Sequence, residues 1–196
     1  MLMNYKFKTF FLILLICNQL SAQESSKLKG FYGSTNLGIG VVKGNIRNEE
    51  TSTNSHFALH INVGYFIFRS VQAGITLNGW LFEPSGETLF AYKGESISNG
   101  MVHIQYYPIR NQRFYLKSAY GLSEYTNLRP DGNHGNGDAF MIATGYETSI
   151  GKRNFILGVQ LSCNIGNLRY NKMPGYNVLV DRKFQAADLT ILLAFD

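Results

Sequence analysis

Eight amphipathic stretches follow one another between residue 30 and residue 195, and the connections between them are alternately long and short. Each stretch repeats with a period of two, which is the side-chain period of a β-strand. No other feature narrows the fold as far. Strands joined in turn by tight turns and by long loops form an up-and-down barrel that crosses a membrane, with all the short turns on one side.

The segment around Ile61 shows the pattern best. Phe57, Leu59, Ile61, Val63 and Tyr65 share one face, and Ala58, His60, Asn62 and Gly64 share the other. Leu37, Ile39 and Val41 oppose Asn36, Gly38 and Gly40 in the same way, and near the end Leu189, Ile191 and Leu193 oppose Asp188 and Thr190. Short connections are expected around Ile67 to Ser70, Pro108 to Arg113 and Gly151 to Asn154. Long polar ones are expected at Lys43 to Asn54, Glu83 to Gly94, Glu124 to Gly137 and Asn167 to Asp181. The expected fold is an all-β, eight-stranded antiparallel up-and-down transmembrane β-barrel with both termini on the short-turn side.

Residues 1–23 read as a secretory signal peptide. Lys6 and Lys8 precede an apolar run from Phe10 to Ile16, and Ser21-Ala22-Gln23 offers small residues for cleavage. The run is well under the roughly 18 residues that span a bilayer as a helix. Residues 24–29 then form a short periplasmic segment, and 30–196 form the barrel domain. Loss of Lys6 and Lys8 lowers the formal charge of +5 by two, so the basic balance is no argument for nucleic acid. With Cys17 removed, Cys163 stands alone and cannot form an intramolecular disulfide. Only 16% of residues are charged, against about 25% in an average soluble protein.

A soluble ligand-binding barrel would alternate in the same way with its apolar face inward. Three observations argue for the opposite sense. The polar face carries Asn, Gln, Ser, Thr and Gly with few charges, whereas a water-facing exterior carries Lys and Glu. Glycines recur on that face, at Gly38, Gly64, Gly74, Gly121, Gly145 and Gly166 among others, where a tight barrel needs room. Aromatic residues collect near the short turns: Phe31, Tyr65, Phe68, Tyr106, Phe114, Tyr146, Phe155 and Phe195. Such a belt suits a membrane interface. Arg69, Arg110, Arg113, Lys152 and Arg153 lie in or beside the same turns, either as a rim for lipid phosphates or as solvated turn charges.

The inward polar residues offer little chemistry. Lys117 and Glu147 are expected at similar depth as a lumen ion pair, and His60, His103 and Asp188, with Gln160 and Asn164, complete a polar network. Two histidines without ligand spacing do not make a metal site. No serine stands two residues from a histidine on one face beside an acid, so no catalytic group is expected, and no cofactor. Loops on a rigid barrel carry recognition. The binding candidates there are Trp80, Tyr125, Arg129 and His134.

The chain resembles the small eight-stranded outer-membrane barrels of the OmpA and OmpX type. The likeness covers Gly30 to Phe195 and rests on the strand count, the terminal stretch Leu189 to Phe195, and Gly145-Tyr146-Glu147. Ser21-Ala22-Gln23 is similar to Bacteroidetes-type signal endings, while Phe195 is penultimate where the proteobacterial assembly signal is terminal. The resemblance implies an integral protein of the cell outer membrane, inserted by barrel-assembly machinery. Its partners would be outer-membrane lipids and a surface ligand or envelope protein, not nucleic acid. An eight-stranded barrel has room inside for side chains only, so a general pore is not expected. The leading expectation is a non-enzymatic structural or binding protein. The alternatives are a lipid A deacylase-type enzyme and a PorT-like secretion accessory.

Overall fold

The computed structural model describes residues 30–44, 52–81, 95–108, 113–127, 134–150, 155–170 and 180–195. The signal peptide and the segment 24–29 lie outside the described residues, as do most of the connections. Eight strands run in chain order: β1 (Phe31–Gly44), β2 (Ser52–Phe68), β3 (Val71–Leu81), β4 (Glu95–Tyr106), β5 (Arg113–Asn127), β6 (His134–Ile150), β7 (Phe155–Tyr170) and β8 (Val180–Phe195). Each pairs antiparallel with its sequence neighbour. β1 pairs with β8 as well, from Gly33 opposite Phe195 to Gly44 opposite Phe184, and this closes the barrel. The fold is therefore an all-β closed eight-stranded antiparallel barrel.

The apolar face of the alternation points outward. Ile39, Ile61, Ile75, Val102, Leu161 and Ile191 are all exposed, while Asn36, Asn62, Thr76, His103, Ser162 and Thr190 are buried. An exposed apolar surface that encircles a protein is far larger than a water-soluble monomer carries, and it is the surface that lipid covers. The aromatic belt keeps its place: Phe31, Tyr65, Phe68 and Tyr146 are exposed at the short-turn end, and the Phe31 and Tyr65 rings meet edge to face at 5.4 Å.

The strands exceed the expected stretches at the long-loop end. β2 and β6 each have 17 residues, and β7 and β8 each have 16. About 9 to 11 residues cross a bilayer. Much of what reads as loop in sequence is thus wall that continues beyond the apolar band, Glu124 to Asn127 and His134 to Gly137 included. The reason is physical. Above the lipid the outward face turns polar as well, so the alternation that reveals a strand fades while its backbone pairing persists. β3 and β4, with 11 and 12 residues, rise less far.

Candidate functional site

The lumen holds three layers. At the short-turn end Tyr32, Phe66, Tyr107, Tyr115, Ile156, Leu192 and Ala194 pack into one apolar cluster. Toward the long-loop end a second cluster contains Val42, Trp80, Ile97, Tyr125, Leu168 and Phe184, and reaches inward to Met101 and Met141. A band of buried polar side chains lies between.

Glycines make both clusters possible. Tyr115 faces Gly145 across β5 and β6, and Phe184 faces Gly166 across β7 and β8. A Cβ at Gly145 would sit 2.5 Å from Tyr115 Cζ, and one at Gly166 would sit 2.5 Å from Phe184 Cζ. Each ring lies over its glycine because nothing projects beneath it. The inward glycines therefore admit large rings into a narrow interior.

The short-turn cluster encloses a charge. The hydroxyl of Tyr32 donates to Glu147 Oε1 at 2.7 Å, and that of Tyr107 approaches Glu147 Oε2 at 3.3 Å. Gln105 in turn donates to the Tyr107 hydroxyl at 2.7 Å. A buried carboxylate needs such donors, because burial without them costs more than any net gain from pairing.

The expected partnership of Lys117 with Glu147 takes a different form. The register sets Lys117 opposite Ala143 and Glu147 opposite Arg113, four residues apart on β5. At about 3.3 Å per residue this separates them by about 13 Å along the strand. They are not at similar depth. The Lys117 amine instead donates to Asn62 Oδ1, and at 3.4 Å to Thr76 Oγ1. Asn62 continues the chain of bonds by donating to Ser34 Oγ at 2.8 Å.

His60, Asp188 and Gln160 do come together. His60 Nε2 lies 3.3 Å from Asp188 Oδ1, and Gln160 Nε2 lies 3.1 Å from His60 Nδ1. Tyr115 donates to Gln160 Oε1 at 2.9 Å, which turns the amide nitrogen toward the imidazole. With Nδ1 accepting, the ring proton of a neutral His60 sits on Nε2, beside Asp188 but without the alignment of a hydrogen bond. Asp188 also accepts from Ser162 Oγ at 2.7 Å and from Trp80 Nε1 at 3.1 Å. Asn164 joins through Ser162 and Asn78. His103 stands apart, with neither ring nitrogen hydrogen-bonded among the described residues.

Serine, histidine and aspartate thus meet, but in the wrong order for nucleophilic chemistry. A hydrolytic triad needs the imidazole between the serine and the acid. Here the carboxylate stands between them, and the group is sealed by a cluster on either side. Among the described residues no three His, Cys, Asp or Glu side chains converge as a metal site.

Two of the four binding candidates expected in the loops are lumen residues. Trp80 is fully buried near the end of β3 and donates to Asp188, with the Phe184 ring 6.4 Å away. Tyr125 is buried in the same cluster from β5. Both keep the inward parity of their strands, since Trp80 follows Thr76 and Asn78 at steps of two and Tyr125 follows Ser123. Parity is the signal that places them, and it runs past the point where the outward face turns polar. His134 is exposed at the start of β6, and Arg129 lies outside the described residues.

No family model matches the chain, and no curated protein does. Solved structures with the same fold do. Neisserial surface protein A matches at a TM-score of 0.60 with 13% identity, over 85% of this chain and 96% of that one. Ail, the attachment invasion locus protein of Yersinia pestis, matches at 0.50 with 10% identity, over 86% of this chain and all of that one. At such identities the likeness is one of fold: the small outer-membrane β-barrel.

Proposed function

We propose that the chain is an integral outer-membrane barrel with a sealed lumen, whose role is structural or binding and is exerted at the end that carries the long connections. The observation that carries this reading is the pair of apolar clusters closing the interior from both ends. Ions and polar solutes crossing such a lumen would shed their water against Tyr, Trp, Phe and Leu side chains at both ends. Chemistry in the polar band would meet the same barrier on the way in, which speaks against a lipid-acting enzyme working from the lumen.

In this reading the short turns and both termini face the periplasm, and the extended strands rise outside. Lipids cover the apolar band, barrel-assembly machinery inserts it, and a surface ligand or envelope protein meets the far end. Purified protein in planar bilayers tests the seal. The expected trace is flat, with heat-modifiable migration on a gel confirming that the barrel is folded. Steady unitary conductance from folded protein would overturn the reading, as would recovery of the native protein in a soluble fraction.

A further inference from the structure

His103 is buried, and neither of its ring nitrogens has a hydrogen-bond partner among the described residues. The register shows what faces it. His103 on β4, Ala119 on β5 and Met141 on β6 form one inward row, and Met101 stands two residues from His103 on the same face of β4, opposite Gly121. Both methionines are buried as well. Ala119 and Gly121 put almost no side chain between β4 and β6, so His103, Met101 and Met141 border one shared space. Met141 crosses it. Asn78 Nδ2 on β3 donates to the Met141 sulfur at 3.2 Å, which carries that side chain over β5 and β4 to the part of the lumen where Met101 and His103 project. The sulfur keeps a second lone pair.

We propose that His103, Met101 and Met141 bind one soft monovalent metal ion, Cu(I) or its analogue Ag(I), taken up as the barrel folds. The ligands select the softness. Two thioethers and a neutral imidazole suit an ion of this kind, whereas Mg²⁺ and Ca²⁺ require oxygen ligands. The lumen selects the single charge. Among the described residues its buried charged side chains are Lys117, Glu147 and Asp188, one positive and two negative with both histidines neutral, so one further positive charge brings the sum to zero. Lys117 is the cation nearest in register to the site, and its ammonium is bound to Asn62 Oδ1 and Thr76 Oγ1. Apolar clusters close the lumen at either end, so the ion enters during folding and not through the finished barrel, as structural metals commonly do. Once bound, it ties β4 to β6 across β5.

The full chain carrying Cys17→Ala and Cys163→Ala, which removes both thiols as competing soft ligands, tests the site. It is refolded with Ag(I) or with Zn(II), desalted, checked for heat-modifiable migration, and its bound metal counted by native mass spectrometry. The expected result is about one Ag(I) per folded barrel, no retained Zn(II), and a higher urea midpoint with Ag(I) than without. Met101→Leu and Met141→Leu keep side-chain volume, so the barrel should still fold while Ag(I) affinity falls about tenfold or more. His103→Gln should weaken uptake likewise and abolish the gain in urea resistance. Folded protein that retains no Ag(I) would sink the proposal, as would retention undiminished when Met101→Leu and Met141→Leu are combined. Zn(II) held as firmly as Ag(I) would overturn the assignment to a soft monovalent ion.

Discussion

The two ends of the lumen are closed by different means. At the short-turn end, tyrosines surround the carboxylate of Glu147, and the closure depends on hydroxyl donors. Toward the long-loop end Trp80, Phe184, Leu168, Ile97 and Met141 pack with few polar atoms, and the chief polar contact is the indole N–H on Asp188. One end is held by satisfied charge and the other by apolar area. The first should be sensitive to loss of single hydroxyl groups, the second to loss of volume.

Trp80→Ala gives the largest effect. Truncating a fully buried tryptophan costs about 3 to 5 kcal/mol, and here it also removes a donor from Asp188. Urea unfolding of the barrel in vesicles, read by tryptophan-independent gel mobility, should show that loss. The same variant should still fail to conduct, because the two seals act in series and the tyrosine end remains closed. Conductance should appear when Trp80→Ala is combined with Tyr107→Ala. A single Trp80→Ala variant that conducts would show that the tyrosine end is no seal.

The paired substitution Tyr32→Phe with Tyr107→Phe comes next. It keeps volume and removes two hydroxyl groups near Glu147. Each donor lost from a buried carboxylate costs about 1.5 kcal/mol or more, so the pair should cost about 3 kcal/mol. Adding Glu147→Gln should recover part of that loss, since the remaining group then needs less solvation. If the double variant unfolds at the wild-type urea concentration, the charge-held description of this end is wrong.

How far the sequence reveals these two ends follows from what alternation reports. Strand number, pairing order and outward sense were all legible, because most outward positions within the lipid band are apolar, with Thr35 and Ser118 as exceptions. Glu147, Lys117, His60 and Asp188 were legible as inward for the same reason. Their partners were not. Lys117 and Glu147 look level when counted from their strand ends, but the register of β5 with β6 displaces them, and registers are set by packing that a single strand does not display. Trp80 and Tyr125 read as loop anchors in the sequence because the wall continues above the lipid, where the outward face no longer marks a strand. The glycines were legible as space, and the rings that fill it, Tyr115 over Gly145 and Phe184 over Gly166, needed the cross-strand pairing.

Ser162→Ala gives the smallest effect and tests what joins the two ends. Asp188 sits between the seals, and three groups approach it: Ser162 Oγ at 2.7 Å, Trp80 Nε1 at 3.1 Å and His60 Nε2 at 3.3 Å. Removing the hydroxyl leaves two of the three, so the loss should be about 1.5 kcal/mol, the low end for a hydrogen bond to a charged group. The effect should grow when Trp80 is already alanine, because the carboxylate then keeps only His60, and a double-mutant cycle should show coupling of about 1 kcal/mol. Tyr107→Phe in place of Trp80→Ala should give no coupling with Ser162, since Tyr107 meets Glu147 and not Asp188. Coupling to Tyr107 as strong as to Trp80 would mean that the polar band transmits strain from end to end and that the two seals are one cooperative unit.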